Sequence, residues 1–178
     1  MHDLALPFII SQVAMFIAMI FDFLSLQYKE RKHTFLFLIV SASLISTHYF
    51  LLDQTAAGVI VFISVLRFIT CYFTTNKKYL FIFIALNTFS LFFTYNNPTD
   101  LIIYVWLIIF IIGNFQENNK LMRKLMMVGT SIVVLYNVII WSPMGVIAEG
   151  TFLISGIIGY YRYYIKKQKN QKSIEQGI

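Results

Sequence analysis

The chain has 178 residues, 58% of them hydrophobic and 12% charged, with mean hydropathy +0.73 and a formal net charge of +6. A soluble domain carries roughly a quarter of its residues as charges, so the composition excludes an ordinary soluble domain and indicates a polytopic membrane protein. The basic surplus does not indicate nucleic acid, because Lys and Arg stand in short clusters between apolar blocks and not along one amphipathic face.

The apolar blocks recur at about the 20 residues that a spanning helix needs. They predict seven transmembrane helices, over 4–27, 34–52, 57–75, 79–95, 99–115, 123–141 and 144–165. The first block lacks a basic leader and a small-residue cleavage pattern, so it reads as a retained helix and not as a signal peptide. Lys29, Arg31 and Lys32 follow the first helix, Lys77 and Lys78 the third, Lys120, Arg123 and Lys124 the fifth, and Lys166, Lys167, Lys169 and Lys172 the seventh. The other four segments, 1–3, 53–56, 96–98 and 142–143, hold no Lys or Arg. Because basic residues accumulate on the cytoplasmic side, the pattern predicts the N-terminus outside and the C-terminus inside. The fifth helix is the weakest span, its uninterrupted apolar part covering only 101–113. Parity requires it, since without that crossing every basic loop downstream would change sides. Asn97 as N-cap, Pro98 at the first helical position and Asp100 in the first turn give it a clean start, and Ser142 with Pro143 do the same for the seventh helix.

The first three helices and the last three share one layout: an outer start, a basic inner loop after the first helix, and a short uncharged outer turn before the third. The fold expected is therefore an all-α membrane domain over 1–165. A half at 4–75 and a half at 99–165 form two parallel three-helix bundles, joined by a linker helix at 79–95. A basic cytoplasmic tail at 166–178 follows. Parallel repeats of this kind occur among small transporters, with sites at the interface of the halves.

Candidate site residues follow from depth along each helix, at about 1.5 Å per residue. Glu149, His48, Asn137 and Tyr136 fall at one level, about 6–8 Å below the outer boundary. Gln12 lies just beneath it, and Ser64 and Ser155 lie near the midplane. An acid inside a span marks a functional interior. Glu149 would take a proton or a cationic or hydroxylated ligand, with His48 pairing to it and Asn137 and Gln12 hydrogen-bonding a neutral polar solute. The alternative is architectural, with Glu149 favoured by its helix N-terminus and His48 and Asn137 tying helices together. Ser155 and Gly159, four apart, read as close-packing positions. Asp22 and Arg67 lie toward the inner side and are expected to neutralise each other, as an inner gate or a structural lock. Arg162 can snorkel among Tyr160, Tyr161, Tyr163 and Tyr164, an interfacial aromatic belt.

No hydrolase, zinc-protease or P-loop motif occurs, and His2, His33 and His48 fall on three separate levels, so neither an enzyme nor a metal or other cofactor is expected. Cys71 is the single cysteine and cannot form an internal disulfide.

The run HYFLLDQTAAGVIVFISVLRF at 48–68, NNPTDLI around Pro98, KLMRK around Arg123 and YNVIIWSPMGVIAEGTFLISGIIGYYR at 136–162 resemble the YgjV family of bacterial inner membrane proteins. Nearly the whole chain takes part. The resemblance implies a small polytopic inner membrane protein of uncharacterised function, similar to the SWEET and PQ-loop transporters. Gln12, His48, Arg67, Asn137, Glu149, Gly150 and Arg162 fit the family pattern. That pattern has His where Tyr136 stands and Asn where Ser64 stands. Asp22 is particular to this chain, and no Pro-Gln dipeptide is present. The expectation is a small-solute transporter or facilitator with a pocket between two three-helix bundles. The alternative is a non-transporting membrane receptor or partner subunit. Its partners are the lipid bilayer and a small solute, not nucleic acid, and homo-oligomers are compatible with the pattern.

Overall fold

The computed structural model describes residues 5–53, 55–94, 98, 100–139, 141 and 143–166. Seven α-helices fill almost all of them: α1 Ala5–Ser25, α2 Arg31–Leu51, α3 Thr55–Phe73, α4 Lys77–Thr94, α5 Asp100–Asn114, α6 Asn119–Ile139 and α7 Pro143–Tyr160. Among the described residues there is no strand. Asn97 and Ser142, expected to begin α5 and α7, and the tail at 167–178 lie outside the described residues.

Among the described residues, three helices are long and apolar enough to cross a membrane by length and composition alone, over Leu6–Ser25, Arg31–Leu51 and Asn119–Ile139. Shorter apolar helices run over Gly58–Phe73 and Tyr104–Asn114. The described α5 has 15 residues, about 22 Å of rise against a hydrocarbon core of about 30 Å.

Side-chain capping moves two helix starts outward from the apolar blocks. The Asn118 carboxamide oxygen accepts the backbone N–H of Lys120 at 2.9 Å and of Leu121 at 3.2 Å, satisfying donors that a helix leaves open. α6 thereby starts at Asn119, about one turn before the predicted start at Arg123. Asn76 caps α4 in the same way through the Lys78 N–H at 2.9 Å. At the other end, α2 and α6 stop alike. Asp53 (φ 58°) and Trp141 (φ 53°) both adopt the left-handed conformation, and each donates its N–H to the carbonyl three residues back, Phe50 and Val138, at 3.2 Å. A bulky Trp is seldom found there.

α2 packs between α1 and α3, and α6 packs between α5 and α7; α1 also meets α7, while α4 touches α3 and α5. A column of rings ties the two groups together. Phe68 of α3 packs on Phe35 at 6.1 Å and on Phe110 of α5 at 6.5 Å, and Phe110 packs on Phe152 of α7 at 6.4 Å. The α1–α7 contact is made by small residues: a Cβ added to Gly159 would lie 2.2 Å from the Leu26 carbonyl oxygen. Ser155 donates to the Phe23 carbonyl, and Gln27 donates to the Ser155 hydroxyl at 2.8 Å. Small side chains permit this backbone approach, which lipid-exposed helices use in place of a hydrophobic driving force. The outward faces carry Phe8, Val13, Phe16, Phe81, Phe89 and Phe92, all exposed, as suits a surface solvated by acyl chains.

Past α7 the chain widens into a π-helical turn, Tyr161–Lys166. Tyr163 there donates its hydroxyl to the Gln27 carbonyl at 2.7 Å, so one of the four tyrosines expected in a belt anchors α7 to α1.

Candidate functional site

Between the α1–α3 group and the α5–α7 group lies a cavity of about 320 Å³. α1 contributes Met15, Met19 and Asp22, and α2 contributes residues from Leu38 to Tyr49, so the lining runs about 16 Å along the bundle. Val61, Ser64, Arg67 and Phe68 of α3 form one wall; Trp106 and Phe110 of α5 with Ala148, Glu149, Thr151 and Phe152 of α7 form the opposite one. α6 stands behind that wall: the Trp106 ring lies against Gly129 of α6, where an added Cβ would meet its Cδ1 at 3.3 Å.

The walls are mainly apolar and aromatic, yet three ionisable side chains reach the cavity: Asp22, Arg67 and Glu149. Arg67 is 2% exposed, and its Nε and Nη1 have no hydrogen-bond partner among the described residues. Its guanidinium lies 5.0 Å from the Phe68 ring and 5.9 Å from the Phe110 ring. The ring faces attract the cation but do not satisfy its N–H groups. Asp22 and Glu149 line the same cavity from α1 and α7, and the hydroxyl of Ser41, also on its lining, has no hydrogen-bond partner among the described residues. Among the described residues the one ion pair within 4 Å is His33 with Glu30, on the surface. Asp22 and Arg67 therefore share the cavity without forming the direct pair expected from their depths. A buried arginine stays charged, and leaving it unpaired in a low-dielectric interior is costly. The arrangement can thus hold a small polar molecule that supplies the missing partners.

Of the residues singled out by depth, the structure brings Glu149, Ser64, Asp22 and Arg67 into one cavity and leaves four others outside its lining. His48 turns to α1, its Nδ1 lying 2.9 Å from the Ser11 carbonyl oxygen. Asn137 donates to the Val133 carbonyl of its own helix at 2.9 Å. Gln12 is exposed and donates to the neighbouring Ser11 hydroxyl at 3.3 Å, and Tyr136 is half-buried on α6. Tyr49, next to His48, reaches the cavity in its place. Phe68, Trp106, Phe110 and Phe152 drew no notice in the sequence because an aromatic in a span signals nothing by itself.

Two arginines of the basic clusters, Arg31 and Arg123, also have a role that their charge alone did not reveal. Arg31, at the start of α2, donates from Nη2 to the Asn114 carbonyl at 2.6 Å and from Nη1 to the Gln116 carbonyl, both at the end of α5. It also reaches the Cys71 carbonyl at the end of α3, at 3.0 Å. Arg123, in the first turns of α6, donates from Nη1 to the Leu26 carbonyl at 2.6 Å and from Nη2 to the Tyr28 carbonyl, both just past the end of α1. Each arginine caps the orphan carbonyls of a helix in the other group. One sequence offset relates Leu26 to Asn114, Tyr28 to Gln116, and the left-handed Asp53 to Trp141. The two clamps are thus reciprocal, and they close the end of the bundle beyond Asp22 and Arg67. The available signal for Arg123 was its place on the stripe of Met122, Met126, Thr130 and Val133, which α6 buries.

Residues 9–167 match the family model Imp-YgjV, described as bacterial inner membrane protein. No curated protein matches the chain, and no solved structure matches it.

Proposed function

The chain belongs to the Imp-YgjV family of bacterial inner membrane proteins, and from that premise we propose that it is a small-solute transporter or facilitator. The observation that carries this reading is the cavity between the two helix groups, lined by both and holding Asp22, Arg67 and Glu149 without an ion pair among them. A packed, purely architectural interior would instead pair or exclude such charges.

The reading includes seven crossings, with the N-terminus outside and the basic tail in the cytoplasm, following the placement of Lys and Arg. It also includes two parallel three-helix bundles, α1–α3 and α5–α7, linked by α4. The packing of α2 and α6 at the centre of each triplet, the matched left-handed ends and the reciprocal arginine clamps support that arrangement. Transport then proceeds by rocking of one bundle against the other about the cavity. Arg31 and Arg123 join the bundles at the cytoplasmic end, so access from inside requires both clamps to release. Glu149, near the outer start of α7, meets the solute first.

The test is uptake into proteoliposomes of a panel of sugars, amino acids and vitamin precursors, comparing the wild type with Glu149→Gln. Accumulation of one solute class that the variant loses is expected. Saturable binding with no uptake of any solute would refute transport and assign the protein as a membrane receptor.

A further inference from the structure

The charges in the cavity also constrain its ligand, if the reading of the cavity as a solute site holds. Arg67 is a permanent cation with two donor nitrogens unpartnered and its side chain 2% exposed. Asp22 and Glu149 are acids on the same cavity, on α1 and α7, and neither forms an ion pair with Arg67. A simple anion would satisfy the guanidinium but meet two repelling carboxylates. A simple cation would suit the carboxylates and be repelled by Arg67. A neutral polyol would leave all three charges desolvated without a counter-charge. A molecule bearing both signs satisfies both ends at once.

We infer that the cavity binds a small zwitterion of the amino-acid type. Its carboxylate is held by the Arg67 guanidinium, and its ammonium group is held between Asp22 and Glu149. Arginine suits the carboxylate end because its planar fork matches a carboxylate in a bidentate way that a lysine cannot. The volume, about 320 Å³, is at the small end of ligand pockets, and Trp106, Phe110 and Phe152 offer an apolar surface to the side chain of such a molecule.

The experiment is isothermal titration of the purified full chain in lipid nanodiscs. The probes are free glycine, leucine and phenylalanine, their methyl esters, their N-acetyl derivatives, and glucose. Saturable binding of at least one free amino acid is expected, with its ester and its N-acetyl form each at least about 30-fold weaker, because each leaves a buried charge unpaired. In Arg67→Gln the penalty for esterification should disappear while the penalty for acetylation stays. In Glu149→Gln the reverse should hold. Since the ligand series is measured first on the wild type, a misfolded variant does not decide the matter. Absence of binding by every free amino acid, equal binding of the three forms, or glucose binding as tightly would overturn the proposal. Uptake of glucose without amino-acid binding would sink this inference and leave transport standing, whereas amino-acid binding without uptake would do the opposite.

Discussion

Removal of the Arg123 guanidinium tests the reciprocal clamp most directly. The side chain is 1% exposed and donates to the Leu26 and Tyr28 carbonyls, which end α1. Hydrogen bonds from a charged donor contribute about 1.5–3 kcal/mol each, so the gross loss in Arg123→Gln is roughly 3–6 kcal/mol. Against this stands the relief from burying a cation whose Nε has no partner, which returns about a third of the loss. The net is about 2–4 kcal/mol, or roughly 5–15 °C in the melting temperature of a chain of this size. Thermal unfolding in detergent measures it. Arg123→Lys should recover part of the loss, because an ammonium lacks the fork that spans two carbonyls.

The same variant has a second readout in the single cysteine. Cys71 is buried, and its carbonyl accepts Arg31 in the partner clamp. If the two clamps jointly hold this end of the bundle shut, Arg123→Gln and Arg31→Gln should each speed maleimide labelling of Cys71, and the double variant should add little to either in stability. A melting temperature within about 1 °C of wild type, together with unchanged labelling, would refute the clamp as a join between the helix groups.

Gly159→Ala should cost about 1–3 kcal/mol, read as a lowered melting temperature, since its Cβ would strike the Leu26 carbonyl oxygen at 2.2 Å; Gly150→Ala, with nothing within 4 Å, should not share that loss. Asp53→Gly should stabilise, because φ of 58° costs an L-residue about 1–2 kcal/mol against about 0.5–1 kcal/mol for the extra chain entropy of glycine, and Asp53→Val should destabilise; denaturant midpoints distinguish the two signs. Ser155→Val should separate α1 from α7 by removing the hydroxyl that joins Phe23 and Gln27, with a loss of about 1–3 kcal/mol from the stranded acceptor and a melting curve as the measurement.

Composition and periodicity were sufficient for an all-helical membrane protein of seven helices, and the basic loops for a proposed orientation. These are local properties: a run of apolar side chains in a medium without water must close its backbone hydrogen bonds within the helix, whatever its neighbours are. Boundaries shifted where a polar side chain completed a cap, as Asn118 does for α6. Position along each helix could be counted, because rise per residue is constant. Rotation about the helix axis was not. His48 and Glu149 were placed at one level by counting, yet packing turns His48 onto Ser11 of α1 and Glu149 into the cavity. Asp22 and Arg67 reach the same cavity but not each other. Arg31 and Arg123 look like topological markers in the sequence because their clamps join residues far apart along the chain. Which polar side chains face one another depends on how helices settle against one another, through the close approach at Gly159, the Phe68 and Phe110 rings and the caps on distant carbonyls. That arrangement exists only in the tertiary structure, and it is what makes a site out of an acid, an arginine and an aromatic wall.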